Sequence, residues 1–240
     1  GIGYVRVRNF QEDTADQLRD HLKRLRAAGS LKGLVLDLRQ NPGGLLEVAV
    51  DVANLFVAKG TLVVTEGQGH RMRQEYEADG TAPYARLPMV VLLDEGSASA
   101  AEIVAGALKN DDRALLVGTR TFGKGTVQVL FDVGDGALKL TVAQYLTPGD
   151  ISIQGVGVSP DIELIPARTS GDYVTLGTGD ERMQRDPKRK LEAFGKVADD
   201  RPERRLRYLS ADDSGDRGAE DDDDPPLRDD EAFRRDEVID

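Results

Sequence analysis

Met89-Val90-Val91-Leu92-Leu93 runs into Asp94-Glu95-Gly96-Ser97-Ala98-Ser99, and from there into Ala100-Ala101-Glu102-Ile103-Val104-Ala105-Gly106-Ala107-Leu108-Lys109. The first run is short, apolar and rich in Val and Leu, the composition of a buried strand. The last is an Ala-rich segment of helix length. The Gly and Ser residues between them supply the turn. A strand that turns directly into a helix is the repeating unit of an α/β fold.

The same unit occurs upstream. Leu34-Val35-Leu36-Asp37-Leu38 reads as a buried strand, Asn41-Pro42-Gly43-Gly44 as a turn, and Leu45–Val57 as a helix. Before it, Tyr4–Val7 is a short strand. Thr14-Ala15-Asp16-Gln17 has the capping-box pattern and opens a helix running to about Ala28, where Gly29 stops it. Thr61–Thr65 reads as a strand, and Arg73–Tyr76 is a candidate for an additional one, not counted in the order below. Downstream, Leu115–Val117 is a strand, and Thr126–Val133 with Ala137–Tyr145 makes a hairpin about Gly134-Asp135-Gly136. The order β-α-β-α-β-β-α-β-β-β predicts an α/β fold with a mixed sheet.

The chain has 240 residues, enough for one large domain or one domain with an appendage. It contains no Cys, which excludes a disulfide framework, a thiol nucleophile and a Cys-ligated metal. Two His residues, His21 and His70, are too few for a His-rich metal site. The net charge of −11 argues against nucleic acid as a partner. No apolar run approaches the roughly 20 residues that span a membrane. No basic segment followed by an apolar one opens the chain, and Gly1 is not an initiator Met, so the sequence reads as a piece of a longer protein. Composition changes near Arg168. About half of residues 168–240 are charged, with an Asp221-Asp222-Asp223-Asp224-Pro225-Pro226 run, and this tail is expected to be mostly disordered with short helices such as Lys188–Val197.

Three constellations carry chemistry. Ser99 stands where the strand turns into the helix, beside free backbone N–H groups and the positive end of the helix dipole, which suit the negative oxygen of a tetrahedral intermediate. Read alone, Ser97 or Ser99 is equally a helix cap. Gly123-Lys124-Gly125-Thr126-Val127-Gln128 puts a Lys between two glycines. Buried there, the amine would titrate low enough to act as a general base. Gln128, four residues on in an extended chain, falls on the same face and can hold the amine; a solvated loop Lys is the alternative. Gly43-Gly44 offers backbone N–H groups to an anion, or simply serves the strand-to-helix turn.

Other chemistries fail on the residues. Gly118–Lys124 matches the first seven positions of a phosphate-binding loop, but Gly125 stands where Ser or Thr must follow and a strand stands where the helix must be, so no nucleotide is expected. There is no G-x-S-x-G elbow and no S-x-x-K. His21 lies beside Lys23 and Arg24 on a solvent-facing helix, and His70 in a Gly-rich polar stretch. A Ser–Lys dyad remains.

Together these segments resemble the carboxyl-terminal processing proteases of peptidase family S41. The resemblance runs from Gly1-Ile2-Gly3-Tyr4-Val5 to Ile153-Gln154-Gly155-Val156-Gly157-Val158-Ser159-Pro160-Asp161. It rests on the order of L-D-L-R-x-N-P-G-G, E-G-S-A-S-A-x-E, F-G-K-G-x-V-Q, Y-x-T-P and I-Q-G-V-G-V-x-P-D. It implies Ser99 as nucleophile, Lys124 as general base and Gln128 as the residue orienting it. It implies an oxyanion hole from the N–H of Ala100 with that of Gly43 or Gly44, and an acidic supporting position at Glu102. It implies a crotonase-like core over residues 1–167 followed by the tail 168–240, no metal and no cofactor, and cleavage of protein substrates near their C-termini. The PDZ domain common in the family is not found in this chain, and Ala101 stands where relatives often have Ser. The implied setting is the bacterial cell envelope, with an adaptor or PDZ domain outside this chain and homo-oligomerisation among the expected partnerships. The competing expectation is a resting or inactive peptide-binding scaffold on the same fold.

Overall fold

The computed structural model describes residues 1–67, 72–134, 136–170, 173–176, 202, 204–209 and 233–234. His70, Asp135, the Lys188–Val197 segment and the Asp221–Pro226 run lie outside the described residues.

Five strands, β1 (Ile2–Arg6), β2 (Gly33–Asp37), β5 (Met89–Leu93), β6 (Leu115–Gly118) and β10 (Ile162–Ser170), form a parallel sheet in that spatial order. The helices α1 (Thr14–Ala27), α2 (Leu46–Asn54) and α3 (Ala100–Asn110) connect them or follow them. The predicted elements are present in the predicted order, but they divide into two sheets. The strands β3 (Thr61–Gly67), β4 (Gln74–Glu77), β7 (Thr126–Val133), β8 (Gly136–Thr147) and β9 (Ile151–Ser152) form a separate antiparallel sheet ordered β4-β3-β8-β7, with β9 on β8. Sequence patterning fixes strand existence, while sheet membership depends on pairings between distant segments.

The helix layer is shared by both sheets. Helix α3 packs against α2 and against strands of both sheets, β6 of one and β3 and β8 of the other. Every residue from Ala100 to Leu108 is buried, as expected of a helix that is apolar all round. Phe10, Leu22, Leu36, Leu38, Phe56, Leu62, Leu93 and Leu116 are buried in the same core as Ile103 and Leu108 of α3. The first turn of α1 departs from the expected box. Thr14 is already helical, Asp13 is the cap position, and Gln17 Nε2 donates to Asp13 Oδ2 at 2.6 Å.

Within residues 168–240, strands are described. The strand β10 itself continues to Ser170 and pairs antiparallel with β11 (Tyr173–Leu176), while β12 (Arg204–Leu209) runs parallel to β10 and β13 (Phe233–Arg234) pairs with β11. The domain boundary expected at residue 167 therefore falls inside a strand. Composition located it at the first charged residues, whereas backbone pairing is indifferent to side-chain charge.

Candidate active site

Ser99 lies at the end of the loop between β5 and α3, at the N-terminus of the buried helix. Its backbone has φ 55° and ψ −115°, a region that non-Gly residues rarely occupy. Such a conformation costs about 1–3 kcal/mol and persists only where surrounding contacts impose it. Those contacts are visible. Ser97 is fully buried, its Oγ donating to the Leu38 carbonyl at 2.8 Å and accepting the Asp94 N–H at 3.1 Å. Asp94 Oδ1 accepts the N–H groups of Gln40 and Gly96. The Ala98 N–H donates to the Asn41 carbonyl at 2.8 Å. Of the two serines that sequence left as alternative caps, Ser99 takes the N-cap position of α3, boxed with Glu102, and is the one held in strain, while Ser97 braces two turns.

The Gly43-Gly44 turn sits directly on Ser99. A Cβ on Gly43, whose φ is +99°, would come within 2.8 Å of Ser99 Cβ and 2.9 Å of the Ala100 nitrogen. The Gly43 N–H is committed to Asn41 Oδ1 at 2.8 Å, which corrects the expectation that either glycine could supply an oxyanion donor. Among the described residues, no acceptor is found for the N–H of Gly44 or of Ala100. Asn41, fully buried, also donates through Nδ2 to the Val7 carbonyl at 2.8 Å. From sequence alone Asn41 is only the first residue of the Asn-Pro-Gly-Gly turn. A polar residue between a buried strand and a Pro-Gly-Gly turn is the signal that was there to use.

Glu102 joins the two halves of the site. It is completely buried and accepts four hydrogen bonds. Oε1 takes the Thr121 hydroxyl at 2.6 Å and the Gly123 N–H at 2.7 Å. Oε2 takes the N–H of Ser99 at 2.9 Å and of Lys124 at 2.8 Å. One carboxylate oxygen therefore holds the backbone of both candidate dyad residues, although they are far apart in sequence. Burial pushes the Glu102 carboxyl above its ordinary range, against the pull of these donors. Three of its four partners are backbone N–H groups, which only donate, so the Thr121 hydroxyl is the one partner able to accept from a protonated carboxyl.

The base side is less complete. The Lys124 side chain is exposed, not buried as a low-titrating amine requires, and no hydrogen bond joins it to Ser99 among the described residues. Gln128 is also exposed, and its Nε2 donates to Thr141 Oγ1 at 3.3 Å rather than to Lys124. Two local features bear on the spacing of Lys124 and Gln128. Lys124 precedes β7, so strand alternation does not yet apply to it, and the β7–β8 register shifts between Val127 and Gln128.

A second polar cluster lies at the end of β2. Arg39 makes a two-pronged contact with Asp37, and Tyr4 Oη donates to Asp37 Oδ2 at 2.6 Å. Burial acts against the charged form of Asp37, but Arg39 and Tyr4 outweigh it and hold the carboxyl at about 2. No group of His, Asp or Glu among the described residues could hold a metal ion.

The sequence matches peptidase family S41 over residues 1–164. It is 44% identical over 188 residues to a carboxy-terminal-processing protease of Bartonella bacilliformis, covering 75% of this chain and 43% of that one. It is 44% identical over 167 residues to a chloroplastic C-terminal processing peptidase of Tetradesmus obliquus, covering 69% and 35%. Among solved structures, the photosystem II D1 C-terminal processing protease superposes with a TM-score of 0.63 at 43% identity, covering 68% of this chain and 42% of that one. The chain thus spans about two-fifths of the length of these relatives.

Proposed function

The chain belongs to peptidase family S41, and from that membership we propose that it is the catalytic part of a serine endopeptidase cutting protein substrates near their C-termini. Ser99 is the nucleophile and Lys124 the general base. Neutral Lys124 takes the Ser99 hydroxyl proton as Oγ bonds to the scissile carbonyl carbon. The oxyanion is received by the free N–H groups of Ala100 and Gly44 at the positive end of α3. Collapse breaks the C–N bond, and the departing amine takes the proton from Lys124. Water then attacks the acyl carbonyl carbon, giving its proton to Lys124, and Lys124 returns that proton to Ser99 Oγ as the acyl–oxygen bond breaks.

The observation that carries this reading is Glu102 Oε2 holding the backbone N–H groups of Ser99 and Lys124 together. The exposed Lys124 and the Gln128–Thr141 contact fit a resting arrangement, in which substrate or a further domain closes the dyad and frees Gln128 to orient the amine. The shared helix layer between two sheets supports a crotonase-like core. An envelope location, substrate engagement through a C-terminal segment, a PDZ or adaptor partner outside this chain and homo-oligomerisation are inferred from the family. Among the described residues, no helix is long and apolar enough to cross a membrane.

The test is a fluorophosphonate probe applied to the wild type, Ser99→Ala and Lys124→Ala, with mass spectrometry to locate the adduct. Labelling at Ser99 that disappears in both variants is the expected result. An adduct on another residue, or undiminished labelling of Lys124→Ala, would overturn the dyad.

A further inference from the structure

Three successive backbone N–H groups hold the chain at Lys124, and only two of them go to Glu102. The third, on Gly125, donates to Gln154 Oε1 at 2.9 Å. Gln154 belongs to residues 153–158, which lie against residues 120–125 along their whole length. The Gly155 N–H donates to the Gly123 carbonyl at 2.8 Å, and the Thr121 N–H to the Val158 carbonyl at 3.1 Å. The glycines flanking Lys124 are required by this contact rather than by bending alone. A Cβ on Gly123 would come within 2.9 Å of the Gly157 nitrogen, and one on Gly125 within 2.8 Å of the Gln154 nitrogen. On its other side, the Gly125 carbonyl accepts the Tyr145 N–H at 2.7 Å.

Most of these contacts are backbone to backbone. At Gly125 a side chain takes over, so one residue type decides whether the clamp is complete. A backbone N–H demands an acceptor, which fixes the Gln154 amide with its oxygen toward Gly125. Glu102 and Gln154 thus grip consecutive amides from different elements, one from α3 and one from the segment after β9. The Lys124 side chain has no hydrogen bond of its own among the described residues, so its starting direction is set by the backbone alone. Freeing the Gly125 N–H would loosen the C-terminal side of Lys124, where only the Gly125 carbonyl bond to Tyr145 would remain, and leave the N-terminal side held by Glu102.

We propose that Gln154 is a positioning residue for Lys124, fixing the loop opposite Glu102 so that the amine leaves it toward Ser99. This rests on the reading of Lys124 as the base. It assigns a task to the glutamine of I-Q-G-V-G-V, to which sequence reading gave none.

The test uses the full chain with Gln154→Leu, which keeps the bulk and removes the acceptor, and Gln154→Glu, which keeps an acceptor. Amide hydrogen exchange followed by NMR reads the placement without turnover. Gln154→Leu is expected to speed exchange of the Gly125 N–H at least about tenfold while the Gly123 N–H is unchanged. In turnover of an internally quenched peptide with an apolar C-terminus, kcat per titrated active site falls at least about tenfold with KM within about twofold, since positioning of the base is felt in the transition state. Gln154→Glu recovers kcat on the high-pH plateau. A fall in Tm with kcat per active site unchanged would mean a merely structural role and overturn the proposal. Unaltered Gly125 exchange overturns it too, whatever the activity. If the wild type turns over no peptide and takes no probe, the peptidase reading fails, and the exchange rates still decide whether Gln154 fixes the chain at Lys124.

Discussion

The β5–α3 junction that carries Ser99 and the β6–β7 loop that carries Lys124 are held by the same carboxylate, yet they are built differently. At the junction, Ser99 is driven into a strained backbone by buried contacts from Ser97, Asn41, Gly43 and Asp94. In the loop, the restraints at Gly123, Lys124 and Gly125 fall on backbone N–H groups, and the lysine side chain is left exposed. On the proposed reading, the fold thus places the nucleophile through its own backbone and only locates the base. A hydroxyl has little reach and must be placed by its backbone, whereas a lysine carries four rotatable bonds and can be ordered late, when substrate excludes water.

The largest effects should fall on the dyad. Ser99→Ala is expected to lower peptide turnover at least about 10⁴-fold without unfolding the chain. Ser99→Gly, equally inactive, should be more stable than Ser99→Ala by about 1 kcal/mol in urea denaturation, because only Gly occupies the observed φ without strain. Equal stability of the two would remove strain from one side of the contrast.

Glu102→Ala leaves four donors without an acceptor in a dry site. A loss of about 3–5 kcal/mol is expected, read as a shift in the denaturation midpoint. A loss under about 1 kcal/mol would mean that the two halves are held independently. Gly43→Ala drives a Cβ against Ser99 and Ala100 at a positive φ, and should cost about 1–3 kcal/mol and at least about 100-fold in turnover. The same change at a glycine with open space, such as Gly134, should leave turnover intact.

Smaller effects mark the periphery. Asp37 titrates near 2 in the folded chain and near 4 when unfolded, so its contribution is complete above about pH 4 and is lost as the pH falls toward 2. Because Arg39 is about half exposed, the contribution is expected to be about 1 kcal/mol, and Asp37→Asn should flatten the acid limb of the stability profile by that amount. Least of all, Phe131→Ser on the exposed hairpin should change stability by less than about 0.5 kcal/mol.

The site was more legible in the sequence than its working state. Gly-Ser-Ala-Ser at a strand-to-helix junction pointed to Ser99, and the glycines around Lys124 marked a special loop. The contact that Gln128 makes with Thr141 was not legible, because alternation says nothing of the cross-strand partner, which the pairing with β8 sets. Gln154 was passed over because its partner, Gly125, lies 29 residues away. Gly43 and Gly44 were indistinguishable until the Asn41 side chain was seen to take one N–H of the pair.

What the sequence determined by itself was local: which segments are strands and helices, where the chain turns, and which residue types gather at the turns. Periodicity, caps and breakers act over a few residues and can be read without knowing the fold. The tertiary structure decided that the strands form two sheets, that Glu102 faces the loop at Lys124, and which N–H groups stay free. Each depends on groups distant in the chain meeting at hydrogen-bond distance in a dry interior, where an unmet donor is costly. No local pattern encodes that meeting.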